Sequence, residues 1–180
     1  MLIEAAELLE LIIAFQEKAW AAYQADMQQH GKPTAGSMRQ LHDAALMCFM
    51  FGWVPPVRSS MLITLHKPDF PHKCMSANCS CPGNHLSWIK RNQQLSARWH
   101  HHKTARKLHK QAIAYVLPSD LNTLLKPLVD PQNRWLLEQK GQGCRTVFVT
   151  KAGEEMSQSK WQTYFGTLLA QIGKLFSHCA

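Results

Sequence analysis

The chain has 180 residues, is 46% hydrophobic by composition and carries a formal net charge of +8. A chain of this length and apolar content folds around one sizeable core, which excludes an intrinsically disordered protein. It contains no run of 18 apolar residues, so we predict no membrane-spanning helix and no membrane partner. Glutamates interrupt the Leu/Ile-rich N-terminus, so we predict no signal peptide and an intracellular protein.

The first predicted element is an amphipathic helix over residues 2–29. Its apolar residues recur at three- and four-residue steps, at Leu8, Ile12, Phe15, Ala19, Tyr23 and Met27. Gly31 and Pro33 are expected to end this helix. Residues 1–36 are therefore interpreted as a helix with its linker, and residues 37–180 as one domain.

A second helix is predicted to start at the cap Ser37, with Gln40 as its capping-box partner, and to run through apolar residues to Gly52. Two prolines then break the chain, and Arg58 follows them. An arginine fixed at such a break can present its planar guanidinium to a phosphate in two parallel hydrogen bonds. The alternative is an arginine that contacts carboxylates or solvent, and the sequence leaves both open.

The remaining pattern predicts a small antiparallel sheet and several helices. Strand signals cover residues 61–65, 98–103, 111–117 and 146–150, and the second and third of these form a candidate hairpin. Helix signals cover a segment capped by Ser119 that ends before Pro127, residues 132–139, and a segment capped by Ser157 that ends at Gly173. The expected fold class is therefore α+β and mainly helical.

The positive charge is concentrated in one segment. Residues 70–119 contain eight Lys and Arg, six of the ten histidines and no acid, whereas the rest of the chain has 12 basic and 12 acidic residues. Charge concentrated in this way indicates a polyanionic partner. At the predicted hairpin tip, Lys103 can serve as a point charge on a phosphate or as a proton donor. A solvated basic turn with only non-specific phosphate contacts is the alternative.

The same segment contains a cysteine-rich loop over residues 72–85. Its soft and imidazole ligands, Cys74, Cys79, Cys81 and His85, can close a tetrahedral zinc site. Such a polar loop has few apolar residues to fix it, so a structural zinc would stabilise it; free surface thiols are the alternative. No carboxylate base lies in the segment, so a catalytic zinc is not expected. Cys48, on the apolar helix, is expected to be a core residue.

Four stretches of the chain occur in an order that is typical of one enzyme family. They are the apolar helix and turn that end at Arg58, the His102-Lys103-Thr104 turn, the strand, Leu-Pro and helix of residues 113–119, and the strand, Gly turn and Ser cap of residues 147–157. Together they resemble the catalytic domain of a tyrosine recombinase of the phage-integrase type, in particular the diverged forms of eukaryotic mobile elements. The resemblance covers about residues 38–178 and implies an integrase-like catalytic core, in which the cysteine-rich loop is an insertion.

The resemblance also implies roles for individual residues. In this family two arginines and a histidine hold the scissile phosphate, a lysine protonates the leaving oxygen and a tyrosine attacks the phosphorus. By position, Arg58 corresponds to the first arginine, Lys103 to the lysine and His178 to the histidine. The second arginine would follow Ala180, and all three tyrosines precede His178. The resemblance therefore implies a catalytic core that is incomplete at its C-terminus and does not cleave DNA strands by itself.

The expected partner is DNA, and a eukaryotic protein of this kind would be nuclear. The expected DNA contacts are Arg98, His102, Arg106, Lys107 and Lys110. No cofactor is required, and both a structural zinc in the cysteine-rich loop and self-association on DNA are left open. The competing interpretations are a non-enzymatic, zinc-stabilised nucleic-acid-binding module and a helical scaffold with a solvated basic loop. An incomplete core also predicts exposed apolar surface around Trp161, Phe165 and Leu169.

Overall fold

The computed structural model describes residues 5–52, 62, 65–68, 84–89, 91–99, 113–138 and 143–176. The elements are helix α1 (Ala5–His30), helix α2 (Ala35–Met47) with a π-helical extension (Cys48–Gly52), strands β1 (His85–Ile89), β2 (Gln94–Trp99) and β3 (Ile113–Val116), and helices α3 (Ser119–Val129), α4 (Pro131–Arg134) and α5 (Gln158–Phe176). This part of the chain is α+β and mainly helical, with a small antiparallel sheet, which confirms the predicted fold class at that level.

Helix α1 confirms the predicted N-terminal helix. It ends at Gly31, whose φ of 66° lies in the left-handed region that glycine adopts without strain. The N–H of Gly31 donates to the carbonyl of Met27 at 3.0 Å. Ile12 and Ala19 are each 1% exposed, so one side of α1 is buried against α2 and the core.

Helix α2 begins earlier than predicted. Thr34, not Ser37, is the N-cap: its hydroxyl accepts from the N–H of Ser37 at 3.2 Å. The hydroxyl of Ser37 accepts in turn from the N–H of Thr34, and the carboxylate of Asp26 also accepts from that N–H at 2.9 Å. Ser37 is therefore the third helical residue of the capping box. The predicted burial of this helix is confirmed, because residues 41–49, including Cys48, are all buried.

The sheet has the order β1–β2–β3, and both strand pairs are antiparallel. The β2–β3 pair confirms that the two predicted arms pair, but β2 begins at Gln94, earlier than the predicted residue 98, and residues 100–112 lie outside the described part. Strand β1 lies in a stretch for which the sequence predicts no strand. Alternation along β2 buries Leu95, Ala97 and Trp99, so this face of the sheet packs on the core. Ser96 and Arg98 lie on the opposite face, which we call the outer face.

The strand predicted over residues 61–65 is wrong at the residues that the structure describes. Leu62 is helical, and the N–H of Leu65 donates to its carbonyl at 3.1 Å, which closes a turn. Strand-like pairing occurs at His66 instead, through isolated bridges. The run of apolar residues is explained by burial, since Leu62 and Leu65 are fully buried.

The strand predicted over residues 146–150 is reduced to isolated bridges. Thr146 pairs with His66, and Val149 pairs with Glu155 across the predicted glycine turn. Gly153 has a φ of 75° in this turn, and its N–H donates to the carbonyl of Thr150 at 2.9 Å. The turn is thus confirmed, while the apolar residues before it are buried without forming a continuous strand.

The helix boundaries after the sheet differ from the predicted ones. Pro118 occupies the N-cap of α3, so Ser119 is its first residue and provides no side-chain cap. Helix α3 passes through Pro127 and ends at Val129, so the proline lies in the last turn of the helix instead of ending it. The helix predicted over residues 132–139 is shorter in the structure, where α4 covers only Pro131–Arg134.

Helix α5 and the core complete the described fold. Ser157 caps α5 as predicted, with its hydroxyl accepting from the N–H of Lys160 at 3.3 Å, but the helix continues past Gly173. The expected exposure of apolar residues is wrong for Trp161, which is 3% exposed, and confirmed for Leu169 at 37%. In the part of the chain that the structure describes, none of the helices combines the length and the apolar character that crossing a bilayer requires.

Candidate nucleic-acid interface

The sheet brings together two residues that the sequence assigns to different sites. Arg98, a predicted DNA contact on β2, lies directly opposite His85, a predicted metal ligand on β1. On the other side, Arg98 lies opposite Ala114 on β3. Directly opposed residues of neighbouring strands share one face. His85, Arg98 and Ala114 therefore form a row across the outer face.

Short side chains lie next to this row. In the adjacent row of the outer face, Ser96 lies between Ser87 and Val116. Val116 is 55% exposed, and no acidic residue occurs in the three strands. None of the three strands therefore contributes a carboxylate that would repel a phosphate near Arg98.

Most of the predicted phosphate contacts lie outside the residues that the structure describes. They are Arg58, His102, Lys103, Arg106, Lys107, Lys110 and His178. Five of these seven belong to residues 100–112, which join β2 to β3. The residues that flank this connection, Trp99 and Ile113, are register partners. Both ends of the basic connection are therefore held side by side at the sheet, next to Arg98.

The predicted metal ligands are only partly described. Cys74, Cys79 and Cys81 lie outside the described residues, and His85 is buried at the start of β1. Within the ranges that the structure covers, no three His, Cys, Asp or Glu side chains are grouped so that they could hold a metal ion. The four-ligand zinc site therefore stays a prediction.

The sequence analysis does not identify His66, which pairs with His85 in a parallel bridge. The N–H of His66 donates to the carbonyl of Asn84 at 2.8 Å, and the N–H of Leu86 donates to the carbonyl of His66 at 3.0 Å. Burial and the charge of Arg145 lower the pKa of His66. A neutral imidazole is thus favoured next to His85. The sequence signal that could have identified His66 is its position before the cysteine-rich loop.

A buried histidine–aspartate pair lies on α2, and sequence reasoning missed it as well. The N–H of Val149 donates to Nε2 of His42 at 3.1 Å, so this nitrogen carries no proton. The other ring nitrogen, Nδ1, donates to the carboxylate of Asp43 at 2.8 Å. Burial lowers the pKa of His42 and outweighs the opposing effect of Asp43, so the imidazole is neutral.

Tyr164 on α5 completes this cluster. Its hydroxyl donates to the carboxylate of Asp43, and Nη1 of Arg39 lies 3.5 Å from its oxygen. Burial and the charge of Asp43 raise the pKa of Tyr164, so the phenol keeps its proton. A histidine whose second nitrogen is occupied by a backbone N–H cannot serve a substrate as a base. The cluster therefore joins α2 to α5 and to Val149, and we assign it no catalytic role.

A second buried polar cluster is centred on Arg134 of α4. Its guanidinium donates from Nη1 to the carbonyl of Val147 at 2.6 Å and from Nη2 to that of Thr146 at 2.7 Å. Its Nε donates to the carboxylate of Glu138 at 2.6 Å, which also accepts from Lys67 at 2.9 Å. Burial raises the pKa of Glu138, but these hydrogen bonds outweigh it and lower the pKa overall. This arginine holds protein carbonyls and is not available to a phosphate.

Comparisons with protein-family models, with curated proteins and with solved structures find no match to this chain. The recombinase resemblance therefore rests on the sequence motifs around Arg58, Lys103 and His178. The described geometry adds the shared outer face of Arg98 and His85 and the side-by-side ends of the basic connection.

Proposed function

We propose that the protein binds duplex DNA through the outer face of its sheet and the basic connection between β2 and β3. One observation carries this proposal: the paired strands enclose residues 100–112, which contain four Lys and Arg, four histidines and no acid. The two residues that flank the connection, Trp99 and Ile113, are register partners next to Arg98. Concentrated cationic charge displaces the counterions of DNA and so gives affinity that depends on salt.

We further propose that this DNA-binding unit is a tyrosine-recombinase-like domain. The order of elements supports it: the buried helix α2 precedes Arg58, an antiparallel sheet carries Lys103 in its last connection, and α5 precedes His178. In this proposal Arg58 and His178 hold a phosphate, and Lys103 is the proton donor for a leaving oxygen.

We do not assign strand cleavage to these residues alone, because no tyrosine belongs to the outer face. Tyr164 is 8% exposed, and its hydroxyl is bound by Asp43. Tyr115 is the register partner of Ala97, in a row that faces the core. Tyr23 lies on α1, where its ring stacks on Trp20 with 5.3 Å between the ring centroids.

The test is the salt dependence of DNA binding by matched charge variants. Fluorescence anisotropy with a labelled duplex would compare the wild type, a Lys103→Gln/Lys107→Gln/Lys110→Gln variant, and a Lys18→Gln/Lys32→Gln/Lys151→Gln variant. Both variants lose three charges, and the lysines of the second are exposed and lie outside the acid-free segment. We expect the slope of log K against log salt to fall by about 0.9 for each phosphate that is no longer neutralised, in the first variant only.

Equal losses of affinity in the two variants would show a response to net charge and would refute the proposed interface, as would the absence of binding at low salt. The statement that the chain does not cleave DNA strands by itself is tested separately, with suicide DNA substrates. We expect no covalent protein–DNA adduct, and detection of one would overturn the statement that the chain does not cleave strands by itself.

The zinc-stabilised module is retained as a second candidate because His66, which precedes the cysteine-rich loop, lies beside His85, which ends it. It predicts one zinc per chain by elemental analysis, and loss of both folding cooperativity and DNA affinity on treatment with EDTA. A metal-free protein with unchanged DNA affinity would exclude this candidate and leave the first intact.

A further inference from the structure

A cleft lies between α1, the β1–β2 turn and the junction of α3 with α4. Its volume is about 700 Å³, within the range of about 300–1,000 Å³ typical of small-molecule sites. Its walls include Trp20 and Tyr23 from α1 and Trp88 from β1. Neither the proposed DNA contacts nor the buried clusters use any of these residues.

The three aromatic side chains are only half-buried. Trp20 and Tyr23 stack on each other with planes 21° apart and form an aromatic pair in the wall of the cleft. Leaving large aromatic surfaces in contact with water is unfavourable, and a planar ligand that stacks on them would remove that contact. The stacked pair and Trp88 come from distant parts of the chain and meet only at this cleft.

Polar side chains of mixed type line the rest of the cleft. Gln93, Thr123 and Asp130 offer an amide, a hydroxyl and a carboxylate, which together match donors and acceptors on the edge of a planar ring. Lys126 also lines the cleft and is exposed. A single ammonium group beside a stacking wall suits a phosphate attached to that ring.

We propose that this cleft binds an unpaired nucleobase together with its 5′-phosphate, with the base stacked on Trp88 and the phosphate at Lys126. The inference rests on the proposed function in one respect, namely that nucleic acid is the partner. Aromatic stacking combined with a nearby cation is how proteins hold single-stranded nucleic acid without reading its sequence. A protein that binds duplex DNA at the basic connection could hold an unpaired nucleotide here.

A methylated ammonium ligand fits less well. Cages for such cations place aromatic faces within about 6 Å of the charge on several sides. The present cleft contains one ammonium group, Lys126, and one carboxylate, Asp130, so it offers a cation no excess of negative charge.

The test is a titration of the full chain with dAMP, in which NMR monitors the indole N–H groups of its six tryptophans. Deoxyribose 5-phosphate, which lacks the base, is the ligand control. We expect dAMP to shift the signals of Trp20 and Trp88, and the sugar phosphate to leave them unchanged. Trp88→Ala should weaken dAMP binding about tenfold, as expected when one stacking partner is removed, and Trp88→Phe should restore most of it.

Trp135→Ala is the matched control, because Trp135 is 66% exposed and does not line the cleft. We expect it to bind dAMP like the wild type. Lys126→Gln should weaken binding of dAMP but not of adenosine, which has no phosphate. Tighter binding of a six-nucleotide single strand than of dAMP would assign the site to nucleic acid, and equal binding would assign it to free nucleotides.

Unchanged dAMP affinity in a folded Trp88→Ala variant would overturn the inference, as would equal weakening by Trp135→Ala or no binding by the wild type. The duplex anisotropy assay separates this inference from the proposed function. Duplex binding without dAMP binding refutes the cleft alone, and dAMP binding without duplex binding refutes the basic interface alone.

Discussion

At the scale of single residues, two arginines form ion pairs with glutamates in very different surroundings. The Arg134–Glu138 pair is 2.6 Å apart, with side chains 4% and 7% exposed, whereas the Arg145–Glu155 pair is 3.4 Å apart and 56% and 40% exposed. We expect Arg134→Ala to lower the free energy of unfolding by about 3–5 kcal/mol, because it removes one of the two partners of the buried Glu138 carboxylate and leaves two buried backbone carbonyls unpaired. Arg145→Ala should cost at most about 1 kcal/mol. Urea denaturation measures both, and equal decreases would contradict the structural role given to Arg134.

His42 gives the protein a pH-dependent stability. Its pKa in the folded state is below the ordinary 6.5, owing to burial. As the pH falls below 6.5, the unfolded chain takes up a proton at this position and the folded chain does not, so the free energy of unfolding decreases. The slope from His42 is at most about 1.4 kcal/mol per pH unit. His66, with its lowered pKa, adds a slope of the same sign.

The measurement is urea denaturation between pH 7.5 and pH 5 on the wild type and on His42→Gln. We expect a shallower pH dependence in the variant, because only the His66 contribution remains of the two. The exposed His30 provides the control variant His30→Gln, which should retain the wild-type slope. An unchanged slope in His42→Gln would show that the imidazole takes up protons in the folded state as readily as in the unfolded one.

At the scale of elements, two glycines should respond to alanine in opposite ways. Gly166 lies inside α5 with no atom within 4 Å of an added Cβ, so Gly166→Ala should raise the free energy of unfolding by about 0.5–1 kcal/mol. Gly31 ends α1 at a φ of +66° with similar open space, so Gly31→Ala should lower it by about 1 kcal/mol through backbone strain. Thermal and urea unfolding of both variants would check the signs. Two changes of the same sign would show that the open space, and not the backbone conformation, sets the effect.

The helices and strands also differ in how well the sequence predicts them. Helices α1 and α5 were predictable because their apolar periodicity extends over several turns. The start of α2 was misplaced because two overlapping segments, Thr34–Ser37 and Ser37–Gln40, can both form a capping box, and only the second has the glutamine of the usual sequence pattern. The hydrogen bond from the N–H of Thr34 to Asp26, eight residues away, favours the first of them. Strand β1 was missed because its five residues follow a loop-like Pro-Gly and show no clean alternation.

The candidate DNA-binding site could be predicted in part, because some of its features are local in the sequence. A concentration of charge along the chain is visible in the sequence, and so is the hairpin that encloses it. Which residues share a face depends on strand register, so the juxtaposition of His85 with Arg98 required the structure. The cluster of His42 and Tyr164 joins positions 122 residues apart, and no local pattern could indicate it.

At the scale of the whole molecule, the two buried clusters and the core connect segments from both ends of the described chain. Residues 146–149 receive hydrogen bonds from Arg39 on α2 and from Arg134 on α4. The core includes Ile12 of α1 together with Ile172 of α5. Packing and hydrogen bonds join segments that are far apart in the chain. We therefore predict that the described elements unfold together and that α1 is not an independent unit.

Two adjacent isoleucines of α1 test this expectation. Ile12 is 1% exposed and Ile13 is 45% exposed, so the same substitution at neighbouring positions separates burial from helix propensity. We expect Ile12→Ala to lower the free energy of unfolding by about 2–5 kcal/mol, and Ile13→Ala to change it by no more than about 0.5 kcal/mol. Calorimetry of Ile12→Ala should show one transition at a lower temperature, with equal calorimetric and van't Hoff enthalpies. A second, separate transition would instead mean that α1 unfolds independently, because weakening one part of a single cooperative core must shift the unfolding of the whole.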